Sequence, residues 1–155
     1  MIIGEIGANE DRLMPALDRI DTKAWVAKGA SETYEQQLDS SKQQVRAASE
    51  EAKALARNPE KLSASLSLMF RLEGIDTMLS SIGEGTRKYQ GSQAAQTLAQ
   101  VYAEGGANRE RFRQYIVNLA AEREQQFAVM DQEAQRCRAT LMAPPPPPKT
   151  TGRKK

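Results

Sequence analysis

The chain contains no histidine. That absence removes Ser-His-Asp and Cys-His nucleophile pairs, the usual zinc sites, a histidine-ligated haem and the Glu-x-x-His di-iron pattern of helical bundles. Its single cysteine, Cys137, excludes an intramolecular disulfide and cannot hold an iron–sulfur cluster. Aromatic residues make up only 5% of the chain and apolar residues 39%. That is too little apolar material for a large core around a deep pocket, so no concave active site is expected. No run of about 18 apolar residues occurs, so no membrane-spanning helix is expected. Gly83-Glu84-Gly85 is not followed by the Gly-Lys-Ser or Gly-Lys-Thr of a phosphate loop. These absences point to a non-enzymatic protein with no catalytic residue, no cofactor and no metal. Met1-Ile2-Ile3-Gly4-Glu5 lacks the basic-then-apolar pattern of a signal peptide. The expected location is cytoplasmic, or exported if a leader once preceded Met1.

Charge is nearly balanced, with 22 bases against 20 acids. Four of the bases, Lys149, Arg153, Lys154 and Lys155, lie in residues 144–155 with no acid beside them, which leaves 18 against 20 in the rest of the chain. The body therefore offers no positive face in bulk of the kind that phosphate backbones require.

What the chain does have is helical periodicity. The expected fold is all-α: an antiparallel bundle of three long helices, with a shorter kinked N-terminal helical segment and a disordered C-terminal tail. Three regions follow: 1–30 packed on the bundle, 31–143 forming it, and 144–155 as a proline-rich basic tail. In the first region Ile2, Ile3, Ile6, Leu13, Leu17 and Ile20 make a stripe that Pro15 is expected to kink or break near Met14. Asp21 should cap a short turn over residues 22–27 that presents Trp25, with Gly29 ending it. Trp25 is expected to anchor the segment to the bundle.

A helix is expected from Ser31 to about Arg57. Its seam is Tyr34, Leu38, Ser41, Val45, Ala48, Ala52 and Leu55, at alternating spacings of four and three. Asn58-Pro59 should end it and start the next, with Pro59 in the first helical position. The second helix is the most hydrophobic, and Leu62, Leu66, Met69, Phe70, Leu79 and Ile82 are its expected core. Gly83 and Gly85 weaken its end, and Gly91-Ser92 marks the next start.

The last pattern runs from Ser92 to about Met142, interrupted only by Gly105-Gly106. Unbroken, it would be about 76 Å long and would overhang its neighbours past the Asn58-Pro59 turn. The overhang carries an apolar stripe of Leu119, Phe127, Met130, Ala134, Cys137 and Leu141, which the N-terminal segment is not expected to cover. That stripe is the candidate interaction face, for self-association or for another helical protein. The competing arrangement is a break at the two glycines that folds the second half back. On this stripe Cys137 is read as a packing residue, and as an intermolecular disulfide only in an exported protein.

Two further motifs carry alternatives. Pro144, Pro145, Pro146, Pro147, Pro148 and Lys149 present a polyproline helix beside a cation, a ligand for a polyproline-binding partner that would make the chain an adaptor. The stretch 109–123 sets Arg109, Arg111, Arg113 and Arg123 among Phe112 and Tyr115, near Tyr102, and Arg109 with Arg113 could face phosphates together as a weak nucleic-acid binder. Glu110, Glu122 and Glu124 alternate with these arginines, which favours an ordinary solvated helix face over nucleic acid. The adjacent carboxylates Glu50-Glu51, Glu122/Glu124 and Asp131/Glu133 share no face and do not form acid–base pairs.

Overall fold

The computed structural model describes residues 1–148, and the chain is all-α there. Six helices follow in order: α1 Ile2–Asp18, α2 Thr22–Ala27, α3 Thr33–Arg57, α4 Leu62–Tyr89, α5 Ser92–Glu104 and α6 Gly106–Met142. The chain divides into two compact units, Met1–Leu119 and a second beginning at Ala120.

The first unit is a four-column bundle. Its columns are α1, α3, α4, and α5 continued by the first part of α6. Side-chain pairs fix their directions. Asp18 bonds Lys42 at 3.0 Å and Asp11 bonds Lys53 at 3.3 Å, so α1 and α3 run antiparallel. Gln37 accepts from Ser81 at 2.9 Å and Glu51 pairs with Arg71 at 2.6 Å, so α3 and α4 do too. Tyr102 reaches Asp76, and further along Tyr115 donates to the Pro59 carbonyl, which sets the fourth column antiparallel to α4. Asn9 with Asn108 and Glu5 with Arg111 close the ring between α1 and that column. Exposed ion pairs of this kind add little energy and mainly report register. The buried seams carry the stability.

The α3 seam follows its spacing: Leu38, Ser41, Val45, Ala48, Ala52 and Leu55 are buried, and Tyr34 at its start is half-buried. On α4 the buried line is Ser65, Leu68, Leu72, Ile75, Leu79, Ile82 and Thr86, again at spacings of three and four. This corrects the expected core of that helix. Met69, Leu79 and Ile82 are buried and Leu62 is partly so, but Leu66 is exposed and Phe70 is 66% exposed. Phe70 lies two residues from both Leu68 and Leu72, roughly 200° away around the helix axis. Its hydrophobicity does not change that phase.

Two points along the helices also differ from expectation. Pro15 sits inside α1 without ending it. Its cost in a helix interior is about 3 kcal/mol. Leu13 and Leu17 flank it fully buried, and two such side chains contribute roughly 3–6 kcal/mol, enough to hold the helix. Pro59 is not the first residue of α4, which starts at Leu62. Asn58, driven out of the helical region by the proline after it, opens a turn closed by the Lys61 N–H on the Asn58 carbonyl. The N-terminal segment packs along the bundle through α1, which lies against α3 and the first part of α6.

At the other end of the bundle, Asp21 caps α2 through Ala24 N–H and Gly29 follows at φ 98°, as expected. Trp25 is buried against Tyr34 and Tyr89. Its indole N–H donates to Gln90, whose amide donates to the Arg19 carbonyl. Gly85 makes room for this cluster: a Cβ there would lie 2.7 Å from Trp25 and 2.8 Å from Tyr34. The glycine near the end of α4 thus serves packing, and the helix continues through it to Tyr89.

Candidate functional site

Two places in the molecule break the rule that polar residues face water and apolar residues face the core. The first is a polar layer within the bundle. The buried line of α1 runs Ile3, Ile6, Glu10, Leu13 and Leu17, so Glu10 occupies a core position. The facing line runs Ala95, Leu98, Tyr102, Gly105, Arg109, Phe112, Ile116 and Leu119, so a glycine and an arginine fall on core positions there. α5 ends where Gly105 N–H turns back to the Tyr102 carbonyl, and the helical ladder resumes with Arg109 N–H on the Gly105 carbonyl. Arg109 lays its guanidinium 3.8 Å from the Tyr102 ring centre and donates to the Tyr102 carbonyl at 2.9 Å. It thereby satisfies a backbone acceptor at the helix break and gains a cation–π contact. A Cβ on Gly105 would meet Arg109 Nη1 at 2.7 Å and Asn9 at 3.2 Å, so a larger residue there would displace the guanidinium from its place at the break.

Glu10 is 1% exposed and neither carboxyl oxygen has a hydrogen-bond partner. Burial pushes its pKa up from 4.5 to about 7, against the pull of the Arg109 charge and with the push of Asp11. Tyr102 is also held well above its ordinary pKa, by burial and by its 2.8 Å hydrogen bond to Asp76. An open cleft of about 400 Å³ nearby is lined by Glu73, Asp76, Tyr102, Arg109 and Arg113. Its two acids and two bases offset one another, and Arg109 is already committed to the helix break. The arrangement can store a proton on Glu10, but nothing in it aligns a nucleophile with an acid or base.

The second place is the latter half of α6. Leu119 belongs to the core of the first unit, 5% exposed. Of the remaining predicted face, Phe127 is 73% exposed, Met130 69% and Leu141 85%, and Cys137 is exposed and free. The predicted stripe is therefore divided: its first residue is buried, and the residues from Phe127 onward form an uncovered helix face. The helix does break at Gly105, and the face is uncovered all the same. Cys137 does not pack in a core, which corrects its expected role as a packing residue.

The arginines of 109–123 are largely engaged. Arg109 turns inward as described, Arg111 approaches Glu5 at 3.7 Å, Arg113 pairs with Glu110 at 3.2 Å, and Arg123 donates to Gln126 at 2.9 Å. Arg109 and Arg113 thus do not present a joint outward pair. In the tail, residues 144–148 are exposed and without regular structure. Lys149 and the basic end, residues 150–155, lie outside the described residues.

Sequence reasoning missed Glu10 and read Arg109 as facing outward beside Arg113, whereas it lies against Tyr102. The signal was available as polar residues standing in the three-and-four spacing of an apolar line. Among the described residues no group of His, Cys, Asp and Glu could hold a metal ion, and no helix is long and apolar enough to cross a membrane. No protein-family model matches the chain, and neither curated proteins nor solved structures yield a match.

Proposed function

We propose that this chain is a non-enzymatic interaction module: a helical bundle that presents the latter half of α6 as a docking helix for another helix. The observation that carries the reading is the uncovered face of Phe127, Met130 and Leu141, each about 70% exposed or more. Three large apolar side chains on one stripe of a single helix are costly in water and gain by being covered. Their recurrence at helical spacing fits a helical occupant better than a flat or extended one. The exposed prolines 144–148 follow directly after that helix and supply a secondary, polyproline-type handle, which is the adaptor reading.

The test is whether the face is surface or core. Introducing charge with Phe127→Glu and Met130→Glu together should leave the thermal unfolding of the full chain within about 0.5 kcal/mol of the parent, measured at dilution. A loss of several kcal/mol would show that these side chains are packed within the chain, and the docking reading would fall.

A further inference from the structure

We infer that the occupant of this face is a second copy of the same chain, paired parallel and in register over residues 127–141. The inference rests on the docking-helix reading above and names its partner. Phe127, Met130, Ala134, Cys137 and Leu141 recur at spacings of three, four, three and four. That is a heptad repeat, whose 3.5-residue period calls for a left-handed pairing with a helix of the same period. In this repeat Phe127, Ala134 and Leu141 occupy one class of seam position, and Met130 and Cys137 the other.

The residues flanking the seam select the partner and its direction. In a parallel, in-register pair, the position before each first-class seam residue faces the position five places later on the other helix. Glu133 then faces Arg138 of the second copy, and by symmetry the contact occurs twice. Gln126 faces Asp131, and no like charges meet. An antiparallel pair sets first-class seam residues against second-class ones, so it overlaps four of the five seam residues. The register over 127–137 leaves out Leu141 and sets Glu133 against Glu133 and Asp131 against Asp131, and the register over 130–141 sets Asp131 against Arg138 twice but leaves Phe127 uncovered. The parallel pair covers all five seam residues with opposite charges meeting and no like charges opposed, and that combination favours it. A parallel pair also places residue 137 of one helix beside residue 137 of the other, which makes Cys137 a reporter of register.

The experiment uses the full-length chain. Sedimentation at tens of micromolar should give a dimer, and Phe127→Glu or Leu141→Glu should weaken the association at least tenfold. Diamide should then link the dimer through Cys137. Two thiols lose their protons and two electrons to form the disulfide, and the diazene is reduced to the hydrazine. Cys137→Ser should stay dimeric but fail to cross-link. A monomer throughout the concentration range would overturn the proposal, as would a dimer that Cys137 does not link. In either case a face that tolerates charge without loss of stability leaves the docking-helix reading standing with a different partner or direction.

Discussion

Helix α6 offers a comparison within one element. In its first part Phe112, Ile116 and Leu119 are buried, whereas from Phe127 onward the same kind of stripe is exposed. Residue type and spacing are alike in the two parts. The first meets α1 and the turn before α4, and the second has no such neighbour among the described residues. A stripe in sequence therefore says that a helix has a face to bury, and not whether the chain itself buries it. The sharpest way to break the comparison is a matched pair of truncations. Phe112→Ala should cost about 3–5 kcal/mol, because the ring is fully buried and its removal leaves a cavity. Phe127→Ala, measured where the chain is monomeric, should stay within about 0.5 kcal/mol. Equal costs in chemical denaturation would show that the two parts of α6 are packed alike.

A second test concerns the polar layer that interrupts the first unit and has no counterpart in the second. The folded state holds a proton on Glu10 up to about pH 7, while the unfolded chain releases it near 4.5. Between those values the folded state binds more protons, so stability falls as pH rises. The contribution is fully present below about 4.5, declines through the folded value and is constant above it. Glu10→Gln keeps the shape and removes the charge. Its advantage over the parent should be near zero at pH 4 and grow to about 3 kcal/mol at pH 8. Denaturant unfolding across that range checks it, and a pH-independent difference between the two proteins would show that Glu10 is solvated or paired.

Much of this architecture was legible in the sequence, and the parts that were not failed for identifiable reasons. The α3 seam from Leu38 to Leu55 and the Asp21 cap of α2 were readable because local rules and tertiary packing agree there. The continuity of α1 through Pro15 was not, because a local cost of about 3 kcal/mol was outweighed by the burial of Leu13 and Leu17 on either side of it. The Gly105 break was visible as a glycine pair, but its purpose was not. That purpose depends on Arg109 and Asn9 meeting in space. Glu10 went unnoticed, and Arg109 was taken for an outward-facing residue, because a search for apolar residues passes over polar ones in the same places. The uncovered face was visible as an unpartnered stripe, but its starting point was misplaced. Leu119 is buried and belongs to the first unit.

The smallest expected effect lies inside the first unit and tests whether phase or hydrophobicity decides burial. Phe70 and Leu66 are apolar, one turn apart, and both exposed on α4, while Leu68 and Leu72 between and beside them are buried. If position around the helix decides, Phe70→Ala should change stability by less than about 0.5 kcal/mol. Alanine's better helix propensity even gives back a few tenths of a kcal/mol against the phenylalanine it replaces. Leu72→Ala, two residues away on the buried line, should cost about 2–5 kcal/mol. Both variants are compared with the parent in urea, where the slope of unfolding against denaturant reports whether the same surface is being exposed. A loss of several kcal/mol at Phe70 with an unchanged slope would place its ring in a packed contact. The α4 face would then extend around the helix, and the distinction between covered and uncovered stripes would have to be redrawn within the bundle itself.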